Sequence, residues 1–536
     1  MYVILNNGNL VQKYNVEYAK YAHPVYPTLF PEYYPTLEGE ISKITAEGFA
    51  YETIKNHKNG LPWSNAVYTA SGTQVDGNSY SYYNSGHLGY GQPVQVVKSD
   101  NGSKSLYTYD YTYDKHGNIL TQIEYREFES ENQNYDSPGT DYYTEMVRNV
   151  SYEYDNLDRL TKETVDGVEK TYTYDAAGNI TTKTTIDKTY VFSYNNSWKD
   201  QLSKLTVNGV EEVFEYNSIG LPTKYRNEDV IWDKRNLLAD YKNVLFTYDG
   251  TGMRLAKSTY VEIIDDDGTK RREITGTTTF DYDGDRLLSE SRNGAIIRYI
   301  YGASGMLGFV YNNSNYYFVR NLQGDVTRIV DTNNQIFAQY TYDAWGNCTI
   351  VSETNGIGTL NAIRYRGYYF DSETGLYYLQ TRYYDPEIGR FISPDSTKYL
   401  DPETLGGLNL YAYCNNNPVM YADPSGCSIL AFWLIVGIAA LAGATIGGIQ
   451  SYQSGERGWD IIQSIALGFF IGGAIAGAAI VLTSATWIAV FGAKATIIGV
   501  EAIKAFAVGA VAVNTFSYIG ATFYGAKTEM LELPTL

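Results

Sequence analysis

The sequence predicts a mainly β protein: an antiparallel sheet of stacked hairpins, followed by an apolar α-helical C-terminal region. Three observations carry this expectation. The 536 residues include 54 tyrosines and 50 glycines, and tyrosine favours strands while glycine favours tight turns. An aromatic-x-Tyr-Asp unit recurs along the middle of the chain. Beyond Gly426 charged residues vanish from runs long enough to span a bilayer as helices.

Composition excludes several functions. Lys and Arg total 41 against 60 Asp and Glu, a net charge of −19. Such a chain repels phosphate backbones, so no nucleic-acid partner is expected. Three cysteines and four histidines do not supply a disulfide scaffold or an ordinary zinc cluster, and no cofactor or metal is expected. A single core rarely grows past roughly 250–300 residues, so the length calls for several units or a repeat array.

Residues 1–105 read as an irregular segment of strands and loops. The opening MYVILNNGNL has no basic stretch and no long apolar run, so it does not read as a secretory signal. It reads as a start inside a repeated pattern, the expectation for a fragment or a cassette of a longer gene. Pro24, Pro27, Pro31 and Pro35 punctuate an aromatic stretch expected to be extended. His23, His57, His87 and His116 lie without ligand spacing and read as surface or turn residues.

Residues 106–363 carry the repeats. The unit reads Tyr111-Thr-Tyr113-Asp114…Gly117-Asn118-Ile119, then Tyr152-Glu-Tyr154-Asp155…Asp158-Arg159-Leu160, then Tyr172-Thr-Tyr174-Asp175…Gly178-Asn179-Ile180. Further copies begin at Phe214, Phe246, Phe280 and Tyr340. Alternation of an aromatic with Thr or Glu has the period of a strand with one packed face. Asp followed by x-x-Gly-Asn supplies a side-chain-capped turn and a left-handed residue. Each repeat is therefore a pair of strands that must lean on its neighbours to bury a face.

Residues 364–427 change texture. They hold the dense segments RYRGYYFDSETGLYYLQTRYYDPEIGRFISPDS and NLYAYCNNNPVMYADPSG. Residues 428–526 change again: 428–455, 461–493 and 505–526 carry no charge, and glycines recur every four positions, as in Gly443/Gly447 and Gly468/Gly472. That spacing lets helices approach closely. Residues 527–536 form a short tail with no catalytic motif.

The Tyr-Asp repeats, together with GLYYLQTRYYDPEIGRF and NLYAYCNNNPVMYADPSG, resemble the RHS/YD-repeat family and its RHS-associated core, over roughly residues 105–427. The resemblance implies a YD-repeat β-shell, a spiralling antiparallel sheet as in bacterial polymorphic toxins, toxin-complex C components and teneurins. It further implies that the shell holds its own C-terminal segment as cargo, that an immunity protein exists in complete systems, and that the chain is secreted or at the cell surface. Self-cleaving members resemble an intramolecular aspartyl protease. The matching positions are Asp395 and Asp423, with scission near Gly426, after Cys427 and before Ser428, and with Arg390 positioned to orient or polarise the pair. Two neighbouring carboxylates suit this chemistry because both cannot easily ionise, so one serves as acid and the other as base.

The chain departs from the family pattern in three places. Ser396, not proline, follows Asp395; Cys427 stands where leucine or tryptophan is common; and the two aspartates are spaced more widely. Asp-Pro is also a common turn initiator, so both aspartates can equally be turn-builders closing the shell. Cys427 has no histidine nearby in sequence and reads as an incidental thiol, as do Cys348 and Cys414. The apolar 428–526 reads as membrane-active helices, as helices packed within the shell, or as a connector to a missing toxin domain. Two rival functions stand beside the delivery reading: a cell-surface carbohydrate-binding module using exposed tyrosines, and a truncated, inactive cassette.

Overall fold

The computed structural model describes residues 2–6, 9–18, 41–46, 50–56, 62–82, 93–100, 104–132, 139–194, 198–302, 305–395, 409–426 and 430–431. Cys427, Ser428, the proline-rich stretch from Pro24 to Pro35, His23, His57 and His87 lie outside them. So do the tail 527–536 and the uncharged runs of 428–526, apart from Leu430 and Ala431.

The described chain is dominated by two antiparallel meanders in which every strand pairs with its neighbours in sequence. A 16-stranded sheet runs from Tyr2 to Val213 and a 14-stranded sheet from Glu215 to Glu353. The first sheet continues unbroken through the part expected to be irregular, since its strands between Tyr2 and Asp100 join those of the repeats in order. Small sheets follow: four strands between Tyr369 and Phe391, and two strands, Tyr421–Ala422 with Leu430–Ala431. That last strand stands where the apolar helical region was expected to begin. It is extended because it pairs directly with Tyr421–Ala422 across the Asp423–Gly426 turn. Among the described residues no helix is long and apolar enough to cross a membrane.

The repeat works as its sequence suggests, with one bond that the sequence did not announce. In the units of Asp114, Asp155, Asp175, Asp249 and Asp343 the carboxylate accepts the backbone N–H groups two and four residues on. Asp114 takes His116 and Asn118 (both 2.8 Å), and Asp175 takes Ala177 and Asn179 (both 2.9 Å). The strand register slips by one residue at the repeat tyrosines Tyr113, Tyr154 and Tyr174, at Thr112/Tyr113, Glu153/Tyr154 and Thr173/Tyr174, a bulge that bends the sheet. The first aromatic of the unit is core: Tyr111, Tyr152, Tyr172, Phe214, Phe246, Phe280 and Tyr340 are all buried. A tyrosine at or beside the end of a strand reaches back to an earlier hairpin. Tyr154 donates to the Ile119 carbonyl (2.8 Å), Tyr174 to Leu160 (2.5 Å), Tyr194 to Ile180 (2.8 Å) and Tyr301 to Leu287 (2.9 Å). These hydroxyls tie successive hairpins together on top of the sheet ladder, while Tyr248 of the Phe246 repeat bonds instead to Tyr383 (2.8 Å).

The two large sheets also meet at positions far apart in sequence. Arg148 donates to the Tyr342 carbonyl (2.8 Å), the Ala344 N–H donates to Glu163 (2.8 Å), and Lys170 pairs with Asp343 (3.0 Å). The meander therefore turns back on itself, and residues 364–426 pack against both sheets.

Candidate functional site

The core segment is anchored before it is shaped. Asp371, fully buried, accepts from Arg254 (2.5 Å) and Lys257 (3.0 Å) of the second sheet. Burial alone would raise its carboxyl, but these two cations hold it below the usual range. The Arg254 guanidinium lies 4.2 Å from the Tyr378 ring centroid and 4.7 Å from that of Phe280, so its charge is enclosed by aromatic faces. On the first sheet, asparagines of the segment hook the repeat turns. Asn417 donates to Asn118 (2.9 Å), Asn416 to the Gly178 carbonyl (2.8 Å) and Asn409 to Asn179 (2.8 Å). Tyr411 donates to the Gly220 carbonyl (2.6 Å).

Between these anchors a tight turn joins strands Leu376–Tyr378 and Tyr383–Asp385. Gln380 adopts φ +64° there, and Thr381 N–H bonds back to Leu379 (2.8 Å). The next residue, Arg382, is buried with its guanidinium 3.6 Å from the Phe391 ring centroid. Its Nη2 lies 2.8 Å from Asp395 and 3.3 Å from Asp423. One nitrogen thus touches both aspartates singled out from the sequence, and the two carboxylates cannot be farther apart than those distances allow. Nη1 donates to the Leu410 carbonyl (3.2 Å), and Nε donates to the Gly426 carbonyl.

Asp423 is the more enclosed of the pair, its side chain 2% exposed against 17% for Asp395. Its own N–H donates to the Tyr368 hydroxyl (2.8 Å), which is itself bonded to Tyr413 (3.0 Å). Burial pushes both phenols well above their usual range, so they stay neutral hydrogen-bonding posts. The following turn is pinned. Thr381 holds the Ser425 carbonyl through Oγ1 (2.6 Å), and Gly426 sits at φ +78°. A Cβ at Gly426 would come within 2.6 Å of Thr381 Oγ1 and 2.9 Å of the Leu379 carbonyl, so no side chain fits there.

Arg390 does not join this group. It donates to Tyr194 (2.9 Å), to Asn179 (3.3 Å) and to the Asp200 carbonyl (2.5 Å), tying the segment to the first sheet. The reason is strand geometry: successive side chains leave opposite faces, and Arg382 stacks on Phe391, the neighbour of Arg390 on the other face. Arg382 is thus the residue that sequence reasoning missed. Its signal was a lone arginine among apolar and aromatic neighbours in LQTRYY, where an unpaired charge is costly. Cys414 is fully buried, and burial followed by the Asp423 charge pushes its thiol well up, which leaves it a poor nucleophile. Cys348 is raised by burial as well.

A second constellation sits on the repeats. His116 Nδ1 lies 2.7 Å from Asp158, and with Asp114 their ligand atoms fall within 4.8 Å of one another. Asp114 already accepts from His116 N–H, Asn118 N–H and Asn118 Nδ2. These groups bind adjacent repeat turns together.

Comparison with known proteins follows this geometry. The teneurin YD-shell family model matches residues 140–419. The chain is 34% identical over 311 residues to the tRNA3(Ser)-specific nuclease WapA of Bacillus spizizenii, covering 54% of this chain and 12% of that protein. It is 30% identical over 203 residues to double-stranded DNA deaminase toxin A of Burkholderia cenocepacia, covering 34% of this chain and 14% of that one. With toxin protein Tse5 of Pseudomonas aeruginosa it shares 46% identity over 86 residues, 16% of this chain and 6% of Tse5. The chain therefore spans a small part of the curated relatives it matches. Among solved structures, a TcdB2-TccC3 crystal structure aligns over 78% of this chain and 24% of its own, with 16% identity and a TM-score of 0.46.

Proposed function

The chain belongs to the RHS/YD-repeat family, and from that premise we propose that it is a shell component of a bacterial polymorphic toxin system, which encloses its own C-terminal segment and severs it at the end of the RHS-associated core. The observation that carries this reading is the single guanidinium of Arg382 bridging Asp395, Asp423 and the Gly426 carbonyl.

The chemistry follows from the arrangement. The proposed chemistry has one of the two carboxylates take a proton from water while the other protonates the departing amine. The substrate is part of the same chain, so the proximity term is present without any binding step. Burial of Asp423 and of Arg382 limits bulk water and strengthens their interaction. One turnover per chain is expected.

The segment 428–526 is the proposed cargo. Its uncharged runs support insertion into a membrane after release, and a secreted or surface location fits the toxins it resembles. An immunity partner belongs to the same proposal. The carbohydrate-binding alternative would have to use tyrosines other than the first aromatics of the described repeats, which are buried.

Intact mass of the purified wild-type chain beside Asp423→Asn tests the proposal. Two fragments dividing just beyond Asp423 in the wild type, and one full-length species in the variant, are expected. A single uncut mass in both would reduce the two aspartates to turn-builders.

A further inference from the structure

We infer that the side chains of Lys170 and Asp343 join in an intramolecular amide, formed with Glu163 as proton carrier, which fastens the first large sheet to the second. The link is independent of self-cleavage.

The three residues come from both sides of the closure. Glu163 and Lys170 stand directly opposite each other on neighbouring strands of the first sheet, Leu160–Val165 and Val168–Tyr174. Asp343 follows strand Ile336–Tyr342 of the second. Lys170 Nζ lies 3.0 Å from Asp343 Oδ2 and 3.9 Å from Glu163 Oε2. Glu163 Oε1 accepts the Ala344 N–H (2.8 Å), which sets this carboxyl against the backbone that carries Asp343. Its Oε2 is buried and has no hydrogen-bond partner among the described residues. The side chains of Asp343 and Glu163 are 5% and 1% exposed, that of Lys170 25%. Tyr172 and Trp345, both buried with ring centroids 5.7 Å apart, flank the group.

The turn that shapes Asp343 also readies it. Oδ1 accepts the N–H groups of Trp345 (3.0 Å) and Asn347 (2.9 Å). These donors stay on the oxygen that is kept, and they stabilise the negative charge it gains when an amine adds to the carbon. Oδ2, the oxygen to be lost, accepts from Lys170 and from Asn347 Nδ2 (2.8 Å). The fold itself holds the amine at the carboxyl, so the proximity term needs no binding step. Burial penalises both charges of the pair, and an amide removes both.

The step starts from the ion pair. Burial alone would raise the Asp343 carboxyl, but Lys183 and Lys170 hold it below the usual range. One proton passes from the Lys170 ammonium to Oδ2, and the freed amine nitrogen adds to Cγ. Glu163 gives a proton to Oδ2 and takes one from the nitrogen. Burial, then the Asp343 charge, push Glu163 up to about 7, so it carries the required proton at neutral pH in much of the population. The Cγ–Oδ2 bond breaks, water leaves, and the Cγ–Nζ bond remains as an amide. One ammonium and one carboxylate become one amide and one water, with no oxidant, reductant or metal.

The test is the mass of the purified full chain, joined to tandem mass spectrometry of its tryptic peptides. Self-cleavage leaves both residues on one fragment, so cut and uncut chains answer alike. The wild type should be lighter by one water than its sequence requires, and should yield a branched peptide joining Lys170 to Asp343. Lys170→Arg, which keeps the ion pair, and Glu163→Gln, which keeps an acceptor for the Ala344 N–H, should restore the full mass with an unchanged far-UV circular dichroism spectrum. A wild-type mass equal to that of the sequence overturns the proposal. So does a loss of water that persists in Lys170→Arg, since it would place the dehydration elsewhere.

Discussion

In the repeats most turns are closed by their own aspartate, and several hairpins are tied to an earlier one by a tyrosine hydroxyl. In the segment from Arg364 to Gly426 the local turns are joined by long-range side-chain contacts: Asp371 answers to Arg254 and Lys257, Asn417 to Asn118, and Arg382 to Asp395 and Asp423. The repeats are redundant, and the loss of one contact leaves many like it. The core segment is built from single, long-range, buried contacts, so a change there has no substitute. That difference suits a wall and a working end.

The sharpest way to break the comparison is to remove a charge from each region. Asp371→Ala leaves Arg254 buried without its anion and Lys257 with Glu373 alone, and should cost about 3–5 kcal/mol. Asp233→Ala, at an exposed repeat turn that caps Arg235 and Leu237, should cost about 1 kcal/mol. Urea denaturation midpoints of the two variants measure this, and equal losses would contradict it.

Glycine gives the next contrast. Gly346 and Gly252 both hold φ near the left-handed region, +94° and +97°. A Cβ at Gly346 would lie 2.6 Å from the Tyr365 ring of the core segment, while at Gly252 the nearest atom is Leu237 Cδ1 at 3.8 Å. Gly346→Ala should cost about 2–4 kcal/mol, from overpacking added to backbone strain. Gly252→Ala carries the strain alone, about 1 kcal/mol. Thermal melts of the pair distinguish crowding from strain.

The two regions also respond oppositely to pH. Burial first, and then the Asp343 charge, push Glu163 up to about 7 from an ordinary value near 4.5. The folded state favours its protonated form, so its contribution is present at low pH and is lost as pH rises through about 7. Asp371 is held below the usual range by Arg254 and Lys257, so its contribution is present at neutral pH and is lost as pH falls through that lowered value. Stability profiles from pH about 2 to about 8 should show Glu163→Gln removing the loss between the ordinary glutamate value and about 7, and Asp371→Asn removing the loss below the ordinary aspartate value. Unchanged profiles in both would contradict the assignments.

Smaller effects mark the redundancy itself. Tyr174→Phe removes the bond to the Leu160 carbonyl and should cost about 1 kcal/mol. Lys204→Ala, which breaks an exposed pair with Glu211, should stay within about 0.5 kcal/mol. A repeat tyrosine costing several times more would show that the wall is not redundant after all.

The same contrast explains what could be read in the sequence. The repeats were legible because their structure is local: Asp175, Gly178 and Asn179 close a turn within five residues, and Tyr172 alternates onto the buried face. Asp395 and Asp423 stood out by resemblance. Arg382 did not, because its partners lie 13 and 41 residues further on and meet it through packing that no periodicity records. Arg390 was favoured by its place in the family's Gly-Arg-Phe segment, and strand alternation sends it the other way. The strands between Tyr2 and Asp100 were underestimated because their turns lack the Asp-x-x-Gly-Asn cue that marks later ones.

The most direct test of this account places the two arginines side by side. Arg382→Lys and Arg390→Lys chains are followed by intact mass over timed incubation, with Asp423→Asn as the uncut reference. The account predicts that Arg390→Lys is processed like the wild type, while Arg382→Lys is slowed at least about tenfold, the equivalent of roughly 1.4 kcal/mol in the barrier. Equal processing of the two arginine variants would contradict it.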